Sequence, residues 1–213
     1  MAQESEVYAP GEFIAREAPG GYSRESIMVK GGSGLLPAGR MLGALTVTAT
    51  SAVKASGANT GNGTMGAITT APLTRPGLYT VRITVAALNA GTFEFRDPSG
   101  TLQATGTVAV AFSAAGLSFT LADGTTDFIV GDGFDITVPV TLWQNYDDSL
   151  SNGTQQARGI LYAEVDATAA TPDKQGTIIA RKAEVVNARV DAATAGHKAA
   201  GITDLTAVGV MFR

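Results

Sequence analysis

The sequence predicts a mainly β protein: a small β-rich base domain with one or two short helices, interrupted by an inserted β-sandwich or barrel-like domain. Three observations point there. Strand-period alternation recurs through the middle of the chain. Tyr79, Val81, Ile83 and Val85 share a face opposite Thr80, Arg82 and Thr84, and Leu117, Phe119 and Leu121 alternate with Ser118 and Thr120. Turn signals such as Asp97-Pro98-Ser99-Gly100 and Asp123-Gly124 separate these runs at roughly the eight-to-twelve-residue spacing of small β domains. The composition agrees: 45% of 213 residues are apolar and 26 are glycine, a mixture suited to short strands and many turns.

Residues 1–25 read as a flexible N-terminal arm. Pro10, Gly11, Pro19, Gly20 and Gly21 punctuate it, and Glu4, Glu6, Glu12 and Glu17 make it acidic. Such a segment offers too little apolar surface to order alone. Tyr8, Phe13, Ile14 and Tyr22 are spaced along it and are the candidate anchors of an arm that orders on a partner. Adding a strand to a partner's sheet edge is one physical route.

The base domain is expected over 26–57 and 139–213. Ser26-Ile27-Met28-Val29 is a short strand, closed by Gly31-Gly32-Ser33-Gly34. After the Pro37 turn, Arg40 to Thr50 gives a stronger one. The run Ala55 to Thr64 reads as a linker. It lacks the Lys-Ser/Thr pair that a phosphate-binding loop needs after its last glycine. Residues 58–138 form the predicted insertion. Because insertions survive at exposed loop tips, it is expected to project as a knob.

Val140 to Trp143 then returns to the base, with Trp143 favoured as a packing residue over an interface anchor. The stretch Gly153 to Arg189 organises that domain. Ile160, Tyr162 and Glu164 alternate with Leu161, Ala163 and Val165. A link carrying Pro172, Asp173 and Gly176 leads to a second run, Thr177 to Ala180. Ala183 to Ala195 is ambiguous, since Val185, Val186 and Val190 disfavour a long helix. Ile202 to Ala207 reads as a short helix capped by Thr203 or Asp204, before a strand-like Val208 to Phe212.

Chemistry is sparse. The net charge of −4 and five scattered lysines argue against direct nucleic-acid binding, which needs clustered cations. There is no cysteine. No apolar run reaches membrane-spanning length, and no secretory signal is visible, so synthesis and use in the cytoplasm are expected. His197, the one histidine, reads as a surface residue. Asp123, Asp127, Asp132 and Asp135 fit Asp-Gly turn chemistry better than a calcium loop. Glu164 and Asp166 share a strand face without a recognisable cleft. With no convergent nucleophile, base or metal set, the sequence predicts no enzyme, no metal and no cofactor.

The order Gly153-Thr154-Gln155, Gly159-Ile160-Leu161-Tyr162, Val165-Asp166-Ala167-Thr168-Ala169 and Asp173-Lys174, followed by Ala183-Glu184-Val185, resembles the head decoration proteins of tailed bacteriophages. Ala38-Gly39-Arg40-Met41-Leu42-Gly43 and the terminal Ala207 to Arg213 agree. The resemblance covers about residues 20–56 and 140–213; the long middle segment departs from a minimal member. It implies a homotrimer bound to the major capsid protein at three-fold sites of the assembled head. It further implies that the N-terminal segment lies against the shell and that the protein sits on the outer capsid surface of the virion. The insertion could then contact host surfaces. The competing reading is a carbohydrate- or cell-surface-binding β-module with the insertion as reader, which would require exposed aromatics.

Overall fold

The computed structural model describes residues 9–213. They form two compact units. Thr46–Val140 is one; the described residues through Leu45, with Thr141–Arg213, are the other. The chain enters with β1 (Ile14–Glu17), β2 (Arg24–Val29), β3 (Gly34–Leu36) and β4 (Met41–Ala44). The second unit holds β5 (Thr50–Val53), β6 (Thr64–Met65), β7 (Thr69–Thr70), β8 (Gly77–Ala87), β9 (Ala90–Arg96), β10 (Leu102–Thr107), β11 (Ala111–Ala114), β12 (Leu117–Ala122) and β13 (Gly133–Val138). The base resumes with β14 (Leu142–Asn145), β15 (Gly159–Leu161), β16 (Val165–Ala167), β17 (Lys174–Ile179) and β18 (Ala183–Val185). It ends in α1 (Lys198–Ala207) and β19 (Val210–Phe212).

The middle unit is a β-sandwich. One sheet runs β10-β9-β8-β13-β5; the other runs β11-β12-β6, with β7 also paired to β12. Alternation decides what is inside: Tyr79, Val81 and Ile83 of β8, Phe93 and Phe95 of β9, and Leu117, Phe119 and Leu121 of β12 share one core. The rings interlock, with Phe93 and Phe119 centroids 6.0 Å apart and Phe95 and Phe112 edge-to-face at 5.3 Å. Val85 departs from the expected face. A register shift between Ile83 and Val85 slips the strand by a residue, and Val85 turns outward, 56% exposed. Phe128 enters the core from a loop rather than from the expected strand.

The unit begins earlier than composition suggests. β5 pairs antiparallel with β13, Phe134 opposite Val53 and Thr137 opposite Thr50, so 46–57 belongs to the sandwich and not to the base. The strand expected over 40–50 stops at Ala44. The run read as a linker is clamped. Asn59 exchanges hydrogen bonds with the Gly133 backbone at 3.0 and 2.9 Å, and the N–H groups of Thr60 and Gly61 donate to Asp132.

The base is built on a closed five-stranded barrel, β14-β2-β17-β15-β4. The organising stretch supplies two of its strands, paired Ile160 to Ile179 and Leu161 to Ile178. Both faces are buried, which explains an apolar run without polar alternation. Ile160 and Ile179 join one cluster with Met41, Tyr146 and Leu205; Leu161 and Ile178 join another with Val29, Leu36 and Trp143. Gly176 lies within β17 and not in the turn. β1, β18 and β19 form a smaller sheet, and β16 pairs with β3. α1 starts at Lys198, so Thr203 and Asp204 are interior to it, and the Asp204 carboxylate accepts from the Ala157 N–H at 2.8 Å. The Leu45 N–H donates to Leu142 O at 2.9 Å, so the chain leaves and re-enters the base at neighbouring points.

The Ala38 to Gly43 motif has a clear structural job. Gly39 sits at φ +85°, and a Cβ there would lie 2.3 Å from Arg189 O. Arg40 then binds Asp191 at 2.7 Å and Asn145 at 3.2 Å. Gly39→Ala combines left-handed strain with a backbone clash, so it should destabilise the base by about 2 kcal/mol or more. Gly20 has a similar φ of +70° and nothing within 4 Å, so Gly20→Ala should carry only the conformational part. Urea unfolding of the two variants checks the difference.

Candidate functional site

The N-terminal segment was the sequence's strongest candidate, and its described part is built into the base. The Gly11 N–H donates to Tyr162 O at 2.8 Å, and the Val186 N–H donates to Phe13 O at 2.7 Å. β1 pairs antiparallel with β18, Ile14 opposite Val185 and Glu17 opposite Ala183. Phe13 is fully buried among Met41, Val185, Val190, Leu205 and Val210, and Ile14 packs on the same cluster. Arg189 holds Glu12 through an ion pair of 2.7 Å. The flexible arm expected over 1–25 therefore does not extend through 9–25. One well-placed aromatic with a matching cavity outweighs a polar, glycine-rich average.

The four candidate anchors do not converge. Phe13 and Ile14 serve the chain's own core. Tyr22 is 53% exposed, with the Arg181 guanidinium 5.3 Å and the Lys182 ammonium 5.5 Å from its ring centre. Tyr8 lies outside the described residues. What the segment does present is an edge: in the order β1-β18-β19, β1 has one side unpaired among the described residues, and Ala15, Arg16 and Glu17 are exposed. A free edge offers backbone donors and acceptors to an incoming strand.

Three of the four aspartates weighed for calcium are committed elsewhere, while Asp123 keeps a buried Oδ1 that has no hydrogen-bond partner among the described residues. Asp132 accepts from the N–H groups of Thr60, Gly61 and Ile129 and lies 3.7 Å from the Lys54 ammonium. Asp135 binds Arg82 and the Ala55 N–H, and Asp127 takes the Asn89 N–H. A different cluster, invisible in sequence order, does assemble. His197 Nδ1 stands 3.3 Å from Asp147 Oδ1 and 3.4 Å from Asp148 Oδ1. Ser149 donates to Asp147 through its N–H and hydroxyl, and these bonds hold that carboxyl below its ordinary range. Beside it, burial pushes the Tyr146 phenol up to about 12, with Asp148, Asp204 and Asp147 adding to the shift. The only available sequence signal was a lone histidine and an Asp-Asp pair far apart in the chain.

The base is a β scaffold with one strand edge left unpaired among the described residues. Residues 3–210 match the family of the bacteriophage lambda head decoration protein D, and the chain belongs to that family. The family is structural, not enzymatic, and membership implies binding to the phage capsid and a place on the virion. No curated protein matches the sequence. Two crystal structures of Xanthomonas campestris FlgL are similar: one at 26% identity over 49% of this chain and 33% of that one, the other at 25% over 59% and 35%. Both have a TM-score of 0.34, an overlap too slight to define a common fold, and this chain spans about a third of either FlgL chain.

Proposed function

We propose that this protein is a capsid cement: a homotrimer that binds three-fold sites of the assembled phage head and stabilises the shell. The carrying observation is the family match across nearly the whole chain. A ligand that binds only the assembled lattice shifts the equilibrium toward it, by about 2.7 kcal/mol at a hundredfold excess over its dissociation constant. Three subunits acting together reach high effective concentration, so each contact can be modest. The β1 edge and the residues preceding Ala9, with Tyr8 among them, are the proposed capsid-binding part. Tyr22 contributes from the same end of the chain, while Phe13 and Ile14 act indirectly by fixing β1.

The Thr46–Val140 unit acts as an insertion dispensable for head binding, with contact to host surfaces as its proposed outward role. Supporting this is the proximity of its exit and entry points, Leu45 and Leu142. The carbohydrate-reading alternative lacks its platform: Tyr79, Phe93, Phe95, Phe119, Phe128 and Phe134 are all core residues of that unit, and Phe112 packs against them.

Co-sedimentation with expanded, undecorated heads tests the reading. Saturable binding of the full chain is expected, retained when 46–140 is replaced by a short linker and lost when residues 1–8 are removed. Binding to glycans without binding to heads would reverse the assignment.

A further inference from the structure

We propose that Asp147, Asp148 and His197 form a binding site for a divalent transition-metal cation of the zinc class. Asp147 and Asp148 follow β14, and His197 immediately precedes α1. Fold topology brings together groups that sequence keeps far apart. The spacing suits a metal better than a hydrogen bond. At 3.3 and 3.4 Å, His197 Nδ1 lies beyond the usual N–H···O range from both carboxylates, and among the described residues it makes no hydrogen bond although the atom is buried. Two ligands each about 2.0–2.1 Å from a tetrahedral ion stand roughly 3.3–3.4 Å apart.

Tyr146, the residue before Asp147, is fully buried, and its hydroxyl has no hydrogen-bond partner among the described residues. A buried hydroxyl left without a partner is costly. The donor set selects the ion. One imidazole nitrogen with two carboxylate oxygens suits zinc, whereas calcium takes six to eight oxygens. Ser149 donates twice to Asp147 Oδ1, the kind of outer contact that orients a ligating carboxylate. A bound ion would tie the loop after β14 to the start of α1 and stabilise the base by mass action.

The single histidine makes the test clean. Tag-free full-length protein is titrated with zinc chloride while the imidazole NMR signals and the thermal midpoint are followed. A saturable, one-site displacement of those signals and a rising midpoint are expected. Asp148→Asn, at an exposed position, should keep its fold and weaken zinc binding by at least about tenfold. His197→Gln should abolish the zinc-dependent rise in midpoint while its circular dichroism matches the parent. Imidazole signals that stay in place at a molar excess of zinc would overturn the proposal. So would undiminished zinc affinity in either variant.

Discussion

Phe13→Ala is expected to destabilise the base unit by about 3–5 kcal/mol, the usual range for deleting a buried aromatic ring. The ring is fully enclosed by residues from β4, β18, α1 and β19, so its loss leaves a cavity lined by Met41, Val185, Leu205 and Val210. It also loosens the hydrogen bond from Val186 that holds β1 in register. Trp143, the chain's one tryptophan, is buried in the base, so its fluorescence reports the unfolding of that unit without a signal from the sandwich. The expected result is a lower urea midpoint, and loss of head binding in step with loss of folding. Tyr22→Ala should unfold like the parent, within about 0.5 kcal/mol, because the side chain is exposed. If Phe13→Ala kept full stability yet failed to bind heads, Phe13 would be an intermolecular anchor after all.

That contrast shows what the sequence could and could not disclose. The sandwich was legible because each strand buries one face, and period-two alternation records the burial directly: Phe93 and Phe95 inward, Glu94 half out. Val85 was misplaced because nothing in a run of β-branched residues announces the register shift after Ile83. The Ala55 to Thr64 run was misread as a linker because glycine and asparagine suit free and clamped loops equally. What clamps it, Asp132, lies 72 residues from Thr60. Phe13 was misassigned for a related reason: averaging over an acidic, glycine-rich segment hides one side chain whose cavity is assembled from distant strands. The pairing of His197 with Asp147 and Asp148 exists only once the β14 loop meets the start of α1. The repeated lesson is physical. Local period survives in sequence, but long-range partners do not.

Asp132→Ala should destabilise the sandwich by about 3–5 kcal/mol, because it removes a buried carboxylate from the donors and the ammonium it serves. The residue is 3% exposed. Its carboxylate accepts from Thr60 and Gly61 at 3.0 and 2.9 Å and from Ile129 at 3.1 Å, and it faces the part-buried Lys54 ammonium. Removing it leaves those donors without an acceptor and Lys54 without its counter-ion. Lys54→Met should do less harm, since the carboxylate keeps its three N–H donors. The pH dependence follows in sign. Burial works to raise the Asp132 pKa, but the N–H groups of Gly61, Thr60 and Ile129 and the charge of Lys54 outweigh it and hold the group below its ordinary 3.8. A carboxyl depressed on folding contributes stability that is present above its unfolded pKa and is lost as pH falls through the folded one. The gap in stability between parent and Asp132→Ala should therefore be full near neutrality and narrow only below pH 3.8. Amide exchange in β13, read across that range, measures the sandwich alone. A gap that stayed constant into acid would mean that packing around Asp132, and not its charge, holds the 55–63 loop in place.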